Sequence, residues 1–387
     1  MKKKIIIYSE RIPSQGMLTL TKYLFGALIY ANNSNNKNTI KLLIYHENFL
    51  YKIKKFIYNA IKLISLKKNF SKFNESKKNL KEFFFEKNNN IIFYNEEKKI
   101  NKLNFDKILP LQKKNEFGSK GIGYIYDLQH ISYPKNFTKG DKKFRNKIFL
   151  DILNSFEKII VNSNHTKKMI YMRYKNFNAK IYALPFCPYP EKKFLFENIN
   201  VIKKYKIKNS FFLISNQFWK HKNHELAFKA FEIFLKYNDN FSLICTGSTY
   251  DRRFPNYFND LKKKYFQLIK ENKIVILGEI SKISQLSLLR KCTALIQPTL
   301  YEGGPGGFSS YESIAYGVPL ILSNIEVNKE IKNKNIYFFQ SNNEYDLANV
   351  MLNNLKKFYT IKNKIYLIKK GNLNKKKLGN FLLKMMN

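Results

Sequence analysis

The chain has 387 residues, which favours two or three domains over one. Apolar residues make up 44% of it, which excludes a disordered chain and allows each of two domains to bury a core. The formal net charge of +42 fits either an anionic partner or a general excess of Lys, Asn, Ile, Phe and Tyr, so the charge alone decides no function.

The cysteines and the apolar runs indicate the compartment. Cys187, Cys245 and Cys292 lie far apart, and no CxxC pair or Cys/His metal spacing is present, which favours a reducing environment. The basic N-terminus is followed by too few apolar residues for a signal peptide, and no apolar run approaches the roughly 18 residues of a membrane span. We therefore predict a cytoplasmic protein, with peripheral contact to the inner face of the cytoplasmic membrane as an open alternative.

Strands and helices alternate in the first half of the chain. A short apolar run, a Gly-containing turn and a helix at its start are typical of a Rossmann-like unit. The predicted strands cover residues 4–9, 39–46, 90–95, 158–163 and 180–186, and the segment 121–130 is predicted to be a strand that runs into a polar loop. The predicted helices cover 17–30, 146–156 and 164–174.

Residues 49–68 form a predicted basic amphipathic helix. Apolar residues recur at helical spacing, and lysines fall largely between them. Two interpretations remain open: a helix that faces the core of a lysine-rich protein, or one that docks on an anionic membrane surface. The Asn/Lys-rich stretch 66–102 is predicted to be surface loops around one strand.

The alternation resumes after the proline-rich passage 184–196, which is predicted to begin the linker. The helix near 224–237 carries Ala227, Ala230, Phe231, Phe234 and Tyr237 on its predicted apolar face. The further predicted strands are 210–215, 241–247, 273–280, 293–299 and 319–324, with helices at 255–270, 284–292 and 309–317.

This pattern predicts an α/β protein with two doubly wound parallel sheets that face each other across a cleft. Ligands of such sheets bind at the carboxyl ends of the strands. The predicted domains are an N-terminal Rossmann-like acceptor domain (1–190), a linker (191–205), a C-terminal Rossmann-like donor domain (206–360), and a basic C-terminal helix (361–387) that packs back on the first domain.

The segment LYEGGPGGFSSYE, residues 300–312, is the strongest candidate site. It lies between a buried strand and a helix, where backbone N–H groups approached through glycines bind anions. An acid stands on each side, Glu302 and Glu312. A carboxylate accepts two hydrogen bonds, and a vicinal sugar diol donates two. The pattern therefore favours a nucleotide-sugar, with a diphosphate between two diols.

The segment from Gln297 to Ile325 resembles the signature of retaining GT-B glycosyltransferases of the large group 1 family (family 4), in which Glu302, Glu312, Gly317 and Pro319 match the conserved positions. Nine residues separate the acids here, two more than in the usual pattern. The resemblance implies a GT-B fold with two facing Rossmann-like domains, a nucleotide-sugar donor and no metal or other cofactor.

Other segments support the resemblance and extend the predicted site. The loop after the strand at 210–215 is similar to the family's diphosphate clamp, in which Lys222 matches the lysine, Gln217 takes the usual arginine position and Lys220 supplies a second cation. The segment around Asp127 and His130 is similar to the family's acceptor-side loop. The remaining predicted donor contacts are Gly16, Gly303, Gly304, Gly306, Gly307 and Phe308.

The implied reaction moves a hexose to an acceptor hydroxyl of a glycan or lipid-linked acceptor, with retention, in bacterial surface-polysaccharide assembly. Lys222 and the loop amides would stabilise the leaving diphosphate, Glu302 would hold the hexose, and Glu312 the ribose. His130 would contact the sugar or the acceptor. Trp219 either stacks on the donor base or packs in the protein.

Two alternatives remain open. One is another enzyme of the same fold, either a nucleotide-sugar epimerase or a phosphorylase that uses pyridoxal phosphate. The other is a basic nucleic-acid-binding protein. Because the lysines are spread along the whole chain and no binding-module motif is present, we predict that nucleic acid is not a partner.

Overall fold

The protein is described from a computed structural model. The structure describes residues 2–9, 15–33, 38–45, 90–94, 100, 103–197 and 199–387. The amphipathic helix predicted at 49–68 lies outside these residues. Within them, no helix is both long enough and apolar enough to cross a bilayer.

The first domain is built on seven parallel strands in the order β3-β2-β1-β4-β5-β6-β7. The apolar runs give strands that are buried on both faces, as expected of a parallel sheet covered by helices. The strands are β1 (Lys4–Tyr8), β2 (Thr39–Tyr45), β3 (Ile91–Tyr94), β4 (Lys107–Leu111), β5 (Gly121–Ile125), β6 (Lys158–Val161) and β7 (Lys180–Ala183), and the helices are α1 (Gln15–Asn33), α2 (Gln129–Ser132), α3 (Lys139–Ser155) and α4 (Asn164–Arg173).

The second domain is built on six parallel strands in the order β10-β9-β8-β11-β12-β13. Its cores also lie on both faces of the sheet. The strands are β8 (Ser210–Ser215), β9 (Phe241–Thr246), β10 (Ile274–Gly278), β11 (Leu295–Gln297), β12 (Leu320–Ser323) and β13 (Ile336–Phe339). The helices, including two short ones before the sheet, are α5 (Lys192–Phe196), α6 (Val201–Lys204), α7 (His224–Leu235), α8 (Tyr257–Lys264), α9 (Phe266–Lys270), α10 (Lys282–Leu289), α11 (Gly307–Ala315) and α12 (Glu344–Asn353).

The carboxyl edges of the two sheets face each other. The loop after β5 meets the loop after β11, where the backbone N–H of Leu128 donates to the Tyr301 hydroxyl at 2.8 Å. The Tyr133 hydroxyl donates to the Leu300 carbonyl at 2.9 Å. The prediction of an α/β protein with two facing parallel-sheet domains is therefore confirmed.

Two strands were not predicted. β4 lies at the centre of the first sheet, between β1 and β5, although it contains Pro110. Proline lacks the N–H that a central strand needs, so its presence argues against such a strand. The structure accommodates it with a register shift between Ile108 and Leu111 in the pairing of β4 with β5. β13 is an edge strand in which only Phe339 is buried, so it lacks the fully buried apolar run of the central strands of its sheet.

The predicted linker is not an extended connection. Residues 191–205 include α5 and α6, whose Phe194, Leu195 and Val201 are buried in the core of the second domain. The apolar face predicted for α7 is correct for its four inner residues, which are fully buried, but Tyr237 is 72% exposed because the helix ends at Leu235.

The last helix, α13 (Lys364–Met386), begins against the second domain, where Leu367 is buried, and then packs along α1 of the first domain. Leu378 and Leu382 are buried in the same core as α1. A side chain at Gly379 would overlap the carbonyl oxygen of Ala27, so glycine allows the two helices to approach closely. The chain therefore returns to its first domain after completing the second.

Candidate active site

The candidate site lies where the loops after β8 and β11 meet the N-terminus of α11. Lys222 ends a short 3₁₀ helix after β8, and its Nζ lies 2.5 Å from Glu302 Oε1 in the loop after β11. The exposed fractions of the two side chains are only 12% and 11%. A partly buried pair of this kind is screened less by solvent than a surface pair.

Gln297, at the end of β11, connects Glu302 to the rest of the loop. Its fully buried side-chain amide donates to Glu302 Oε1 at 3.3 Å and to the carbonyl of Gly306 at 2.7 Å. Its Oε1 accepts from Asn216, in the loop after β8, and from Ser309 Oγ at 3.3 Å. The Glu302 carboxylate is therefore held in one orientation from two directions.

The first two glycines of the loop lie against the first domain. A Cβ at Gly303 would overlap the carbonyl oxygen of Tyr126, and a Cβ at Gly304 would lie 2.8 Å from Asn162 Cβ. The Gly303 carbonyl accepts from Ser163 Oγ at 2.8 Å. These glycines therefore allow close contact between the domains, a use that is separate from the predicted contact with the donor.

The last two glycines shape the start of α11. Gly306 and Gly307 have φ of +63° and +65°, in the left-handed region that favours glycine. The N–H of Gly306 donates to Asn328 Oδ1 at 2.7 Å, and that of Gly307 to the Gly304 carbonyl at 3.3 Å. By helix geometry, the next two N–H groups, of Phe308 and Ser309, have no acceptor within the helix. They give α11 a positive end beside Glu302 that suits an anion.

Glu312 lies further along α11 and is only 6% exposed. Its Oε1 contacts the Lys282 ammonium, and its Oε2 accepts from Gln285 Nε2 at 2.9 Å. Lys22 and Tyr23 of α1 reach the same place, and together these residues line a cavity of about 10 Å³. That volume holds no more than about one water molecule, so Glu312 is enclosed between α10, α11 and α1.

The family comparison covers this part of the chain. Residues 196–358 match the family model described as "Glycosyl transferases group 1", and the match includes Lys222, Glu302 and Glu312. The protein is a glycosyltransferase. No curated protein matches the chain at a significant level.

Solved structures show that the glycosyltransferase has the GT-B fold over its whole length. Sucrose-phosphate synthase from Thermosynechococcus elongatus is similar with a TM-score of 0.61 at 13% identity, covering 99% of this chain and 97% of that one. HepE from Anabaena, solved with UDP and glucose, has a TM-score of 0.55 at 11% identity, covering 98% and 95%. WaaG, a glycosyltransferase involved in lipopolysaccharide biosynthesis, has a TM-score of 0.56 at 12% identity, covering 97% and 95%.

The glycosyltransferase has three further predicted donor contacts: Gln217, Lys220 and Gly16. Gln217 follows β8, where a Cβ at Gly247 would lie 2.8 Å from its backbone nitrogen. Lys220 is exposed, and its Nζ lies 4.6 Å from the centre of the Phe254 ring, so the structure does not pair it with Glu302. Gly16 lies in the first turn of α1 rather than in a loop before it.

The side chain of Phe308 contacts the first domain. Its ring centre lies 6.0 Å from that of Tyr23 on α1 and 5.7 Å from that of Tyr311. The side chain of Phe308 therefore lies in the domain interface, and its contact with the donor stays a prediction. Trp219 packs near His221, with ring centres 5.7 Å apart.

Asp127 has a structural partner that the sequence did not indicate. Its Oδ1 accepts from Arg145 of α3 and from the backbone N–H of Gln129, the latter at 2.9 Å. The Arg145 guanidinium also lies 4.9 Å from the centre of the Tyr126 ring. The carboxylate is thus engaged within the first domain, and its acceptor-side role stays a prediction.

His130 is 2% exposed and contacts Phe137 and Phe149 of the first domain. Its Nε2 lies 3.0 Å from Asn146 Oδ1, an acceptor, so Nε2 carries the proton and Nδ1 is unprotonated. Burial lowers the pKa of His130, which keeps the ring neutral at pH 7. Its role toward the acceptor also stays a prediction.

Sequence reasoning missed the residues that hold the two acids. Gln297 begins the segment that resembles the family signature but was given no role, and Lys282 and Gln285 lie 30 and 27 positions before Glu312. The only available signal was position: Gln297 ends a buried strand, and Lys282 follows the helix-capping Ser281. Within the described part of the chain, no three His, Cys, Asp or Glu side chains converge as a metal site requires.

Proposed function

We propose that the protein transfers a hexose from a nucleotide-diphosphate sugar to a hydroxyl of a glycan or lipid-linked acceptor, with retention at the anomeric carbon. The observation that supports this most directly is the Lys222–Glu302 pair beside the positive end of α11, with a second clamped acid, Glu312, on the same helix. One cation, one helix N-terminus and two fixed carboxylates correspond to a diphosphate between two diols.

In this proposal the leaving diphosphate lies between Lys222 and the N–H groups of Phe308 and Ser309. As the bond from the anomeric carbon to the phosphate oxygen breaks, its electron pair moves to that oxygen. Preorganised donors at this position stabilise the growing charge, and losing one such donor typically lowers kcat by about 10²- to 10³-fold. We propose that these protein groups stabilise the diphosphate without a metal or other cofactor.

Glu302 binds hydroxyls of the transferred hexose. Lys222 and Gln297 fix its carboxylate, so the hydrogen bonds that it accepts orient the sugar relative to the diphosphate. The attacking acceptor hydroxyl approaches on the face that the leaving group departs from, and its proton passes to the leaving phosphate oxygen. This route gives retention, as the resemblance to family 4 implies.

The proposed acceptor and setting follow from a structural neighbour and from the sequence. WaaG, which is similar in fold, is a glycosyltransferase of lipopolysaccharide biosynthesis. We propose a comparable role for this chain in surface-polysaccharide assembly, in the cytoplasm at the inner face of the cytoplasmic membrane. Residues 49–68 are the proposed contact with anionic lipid, supported by their lysine-rich amphipathic pattern.

A donor screen tests the proposed reaction. Calorimetry with UDP-, GDP-, ADP- and dTDP-sugars should find at least one donor that binds the wild-type chain, and NMR of the product should show the anomeric configuration retained. Glu302→Gln should abolish turnover. Glu225→Gln is the matched control, because Glu225 forms an exposed pair with Lys264 at 2.7 Å. If no donor binds, the proposal is wrong.

A further inference from the structure

Glu312 belongs to a cluster of four charged side chains between the two domains. Lys282 of α10 contacts it directly. Beside this pair, Lys22 of α1 lies 2.6 Å from Glu191, and all four line the same small cavity. The cluster contains two lysines of similar exposure, 27% for Lys282 and 21% for Lys22; Lys282 is paired with Glu312, and Lys22 with Glu191.

Both oxygens of the Glu312 carboxylate are occupied from the same side. Lys282 takes Oε1 and Gln285 takes Oε2, and Gln285 also donates to Ser215 Oγ at 3.1 Å. Since both donors belong to α10, the carboxylate cannot rotate without losing one of them. Each oxygen still has a lone pair for a second donor. The group therefore presents two fixed acceptors to a ligand.

Two fixed acceptors suit two neighbouring hydroxyl donors. A ribose supplies them at its 2′ and 3′ positions, whereas a 2′-deoxyribose supplies only one. A buried acceptor left without a donor weakens binding by about 10- to 100-fold. The arrangement at Glu312 thus distinguishes the two sugars, provided that the carboxylate stays charged and oriented.

We propose that Lys282 is the positioning residue that makes the donor site selective for ribonucleoside diphosphates over their 2′-deoxy analogues. This inference rests on the proposed function, because it takes Glu312 as the group that binds the ribose. Lys282 acts through Glu312, as the cation that is paired with this buried carboxylate. The donor class is therefore a UDP-, GDP- or ADP-sugar, and dTDP-sugars are poor donors.

A purely structural role for Lys282 predicts a different result. If the ion pair only fastened α10 to α11, its loss would weaken every nucleotide by a similar factor. The ratio of the two dissociation constants, for a ribonucleotide and for its 2′-deoxy analogue, would then stay unchanged. This ratio is the measurement that separates positioning from general stability.

The experiment measures dissociation constants by calorimetry for UDP, GDP and ADP, each paired with its 2′-deoxy analogue, on the full chain. The wild-type protein should prefer the ribonucleotide by about 10- to 100-fold. Lys282→Met should lower that preference to less than about threefold. Lys282→Gln, which keeps a polar side chain, should give the same loss, and Lys282→Arg should retain most of the preference.

Lys22→Met is the matched control, because Lys22 lies in the same cluster but pairs with Glu191. It should leave the ratio at the wild-type value. If none of the nucleotides binds the wild-type chain, the proposed function fails and the inference with it. If a ribonucleotide binds with preference and both Lys282→Met and Lys282→Gln keep that preference, the inference alone is wrong.

Discussion

Glu302 and Glu312 are each held by one lysine and one buried glutamine, a pair of contacts called a carboxylate clamp below. The surroundings of the two clamps differ. Glu302 lies among loops at the carboxyl ends of β8 and β11, next to the positive end of α11. Glu312 lies on the helix itself, covered by α1 of the first domain. Under the proposed function, the same arrangement would serve two purposes: at Glu302 it would face the position where charge develops, and at Glu312 a part of the donor that does not react.

The largest expected effect is at the Glu302 clamp. Lys222→Met removes the cation from the proposed leaving-group position and should lower kcat by about 10²- to 10³-fold, because this charge acts mainly in the transition state. Steady-state kinetics with the donor found by the screen measures it. Lys264→Met, at the exposed pair with Glu225, should leave kcat within about twofold of the wild type. An equal loss in both variants would contradict the assignment.

Substitution of Glu312 is expected to have a smaller effect, on KM for the donor and not on kcat. Glu312→Gln keeps the size of the side chain but weakens the acceptor for the ribose, so KM for the donor should rise by about tenfold while kcat changes little. The same kinetics as for Lys222→Met provide the measurement. A fall in kcat as large as that for Lys222→Met would show that the two acids do not differ in purpose.

The loss of folding stability at acid pH depends on a residue away from both clamps. His224 is fully buried and stacks on Phe218 at 4.0 Å, and burial lowers its pKa to about 3. Because this pKa lies below the unfolded value near 6.5, the unfolded state binds more protons between these limits, and stability is lost as the pH falls through them. From pH 7 to pH 5 this one group costs about 2 kcal/mol.

Urea unfolding at both pH values tests this expectation. His224→Phe should be less sensitive to acid than the wild type, because a phenyl ring cannot take up a proton. His165→Gln is the comparison variant: burial also lowers the pKa of the half-buried His165, but by less than that of His224, so this change should reduce the acid sensitivity by a smaller amount. An identical pH dependence in wild type and His224→Phe would contradict the assignment of the acid sensitivity to this ring.

The smallest effect is expected at the glycines. Gly303→Ala should disturb the contact with Tyr126 in the first domain, so KM should rise by a few-fold with little change in the melting temperature of the second domain. Gly306→Ala should instead cost about 1 kcal/mol of stability, because φ is +63° there. Differential scanning calorimetry with donor kinetics distinguishes the two; the same response in both variants would remove the distinction between the two halves of the loop.

The sequence predicted the parts of the molecule that depend on local patterns. Apolar runs located most strands, and β4 was missed because Pro110 contradicts a central strand. The acids and glycines of the loop were found because their spacing is local. The clamps were not, because Lys282 is one of very many lysines and meets Glu312 only after folding. The contact of Gly303 with Tyr126 was equally inaccessible, since it joins two domains.

The return of α13 to the first domain has a mechanical consequence. The chain crosses between the domains twice, near Pro190 and within α13, between Leu367 in the core of the second domain and Leu378 in that of the first. A Cβ at Gly371 of α13 would lie 2.7 Å from the Pro190 side chain, so the outgoing crossing and the returning helix are in contact. The two connections therefore fix the domains to each other at one shared place. We expect a side chain at position 371 to push them apart and to alter the distant contact of Gly303 with Tyr126.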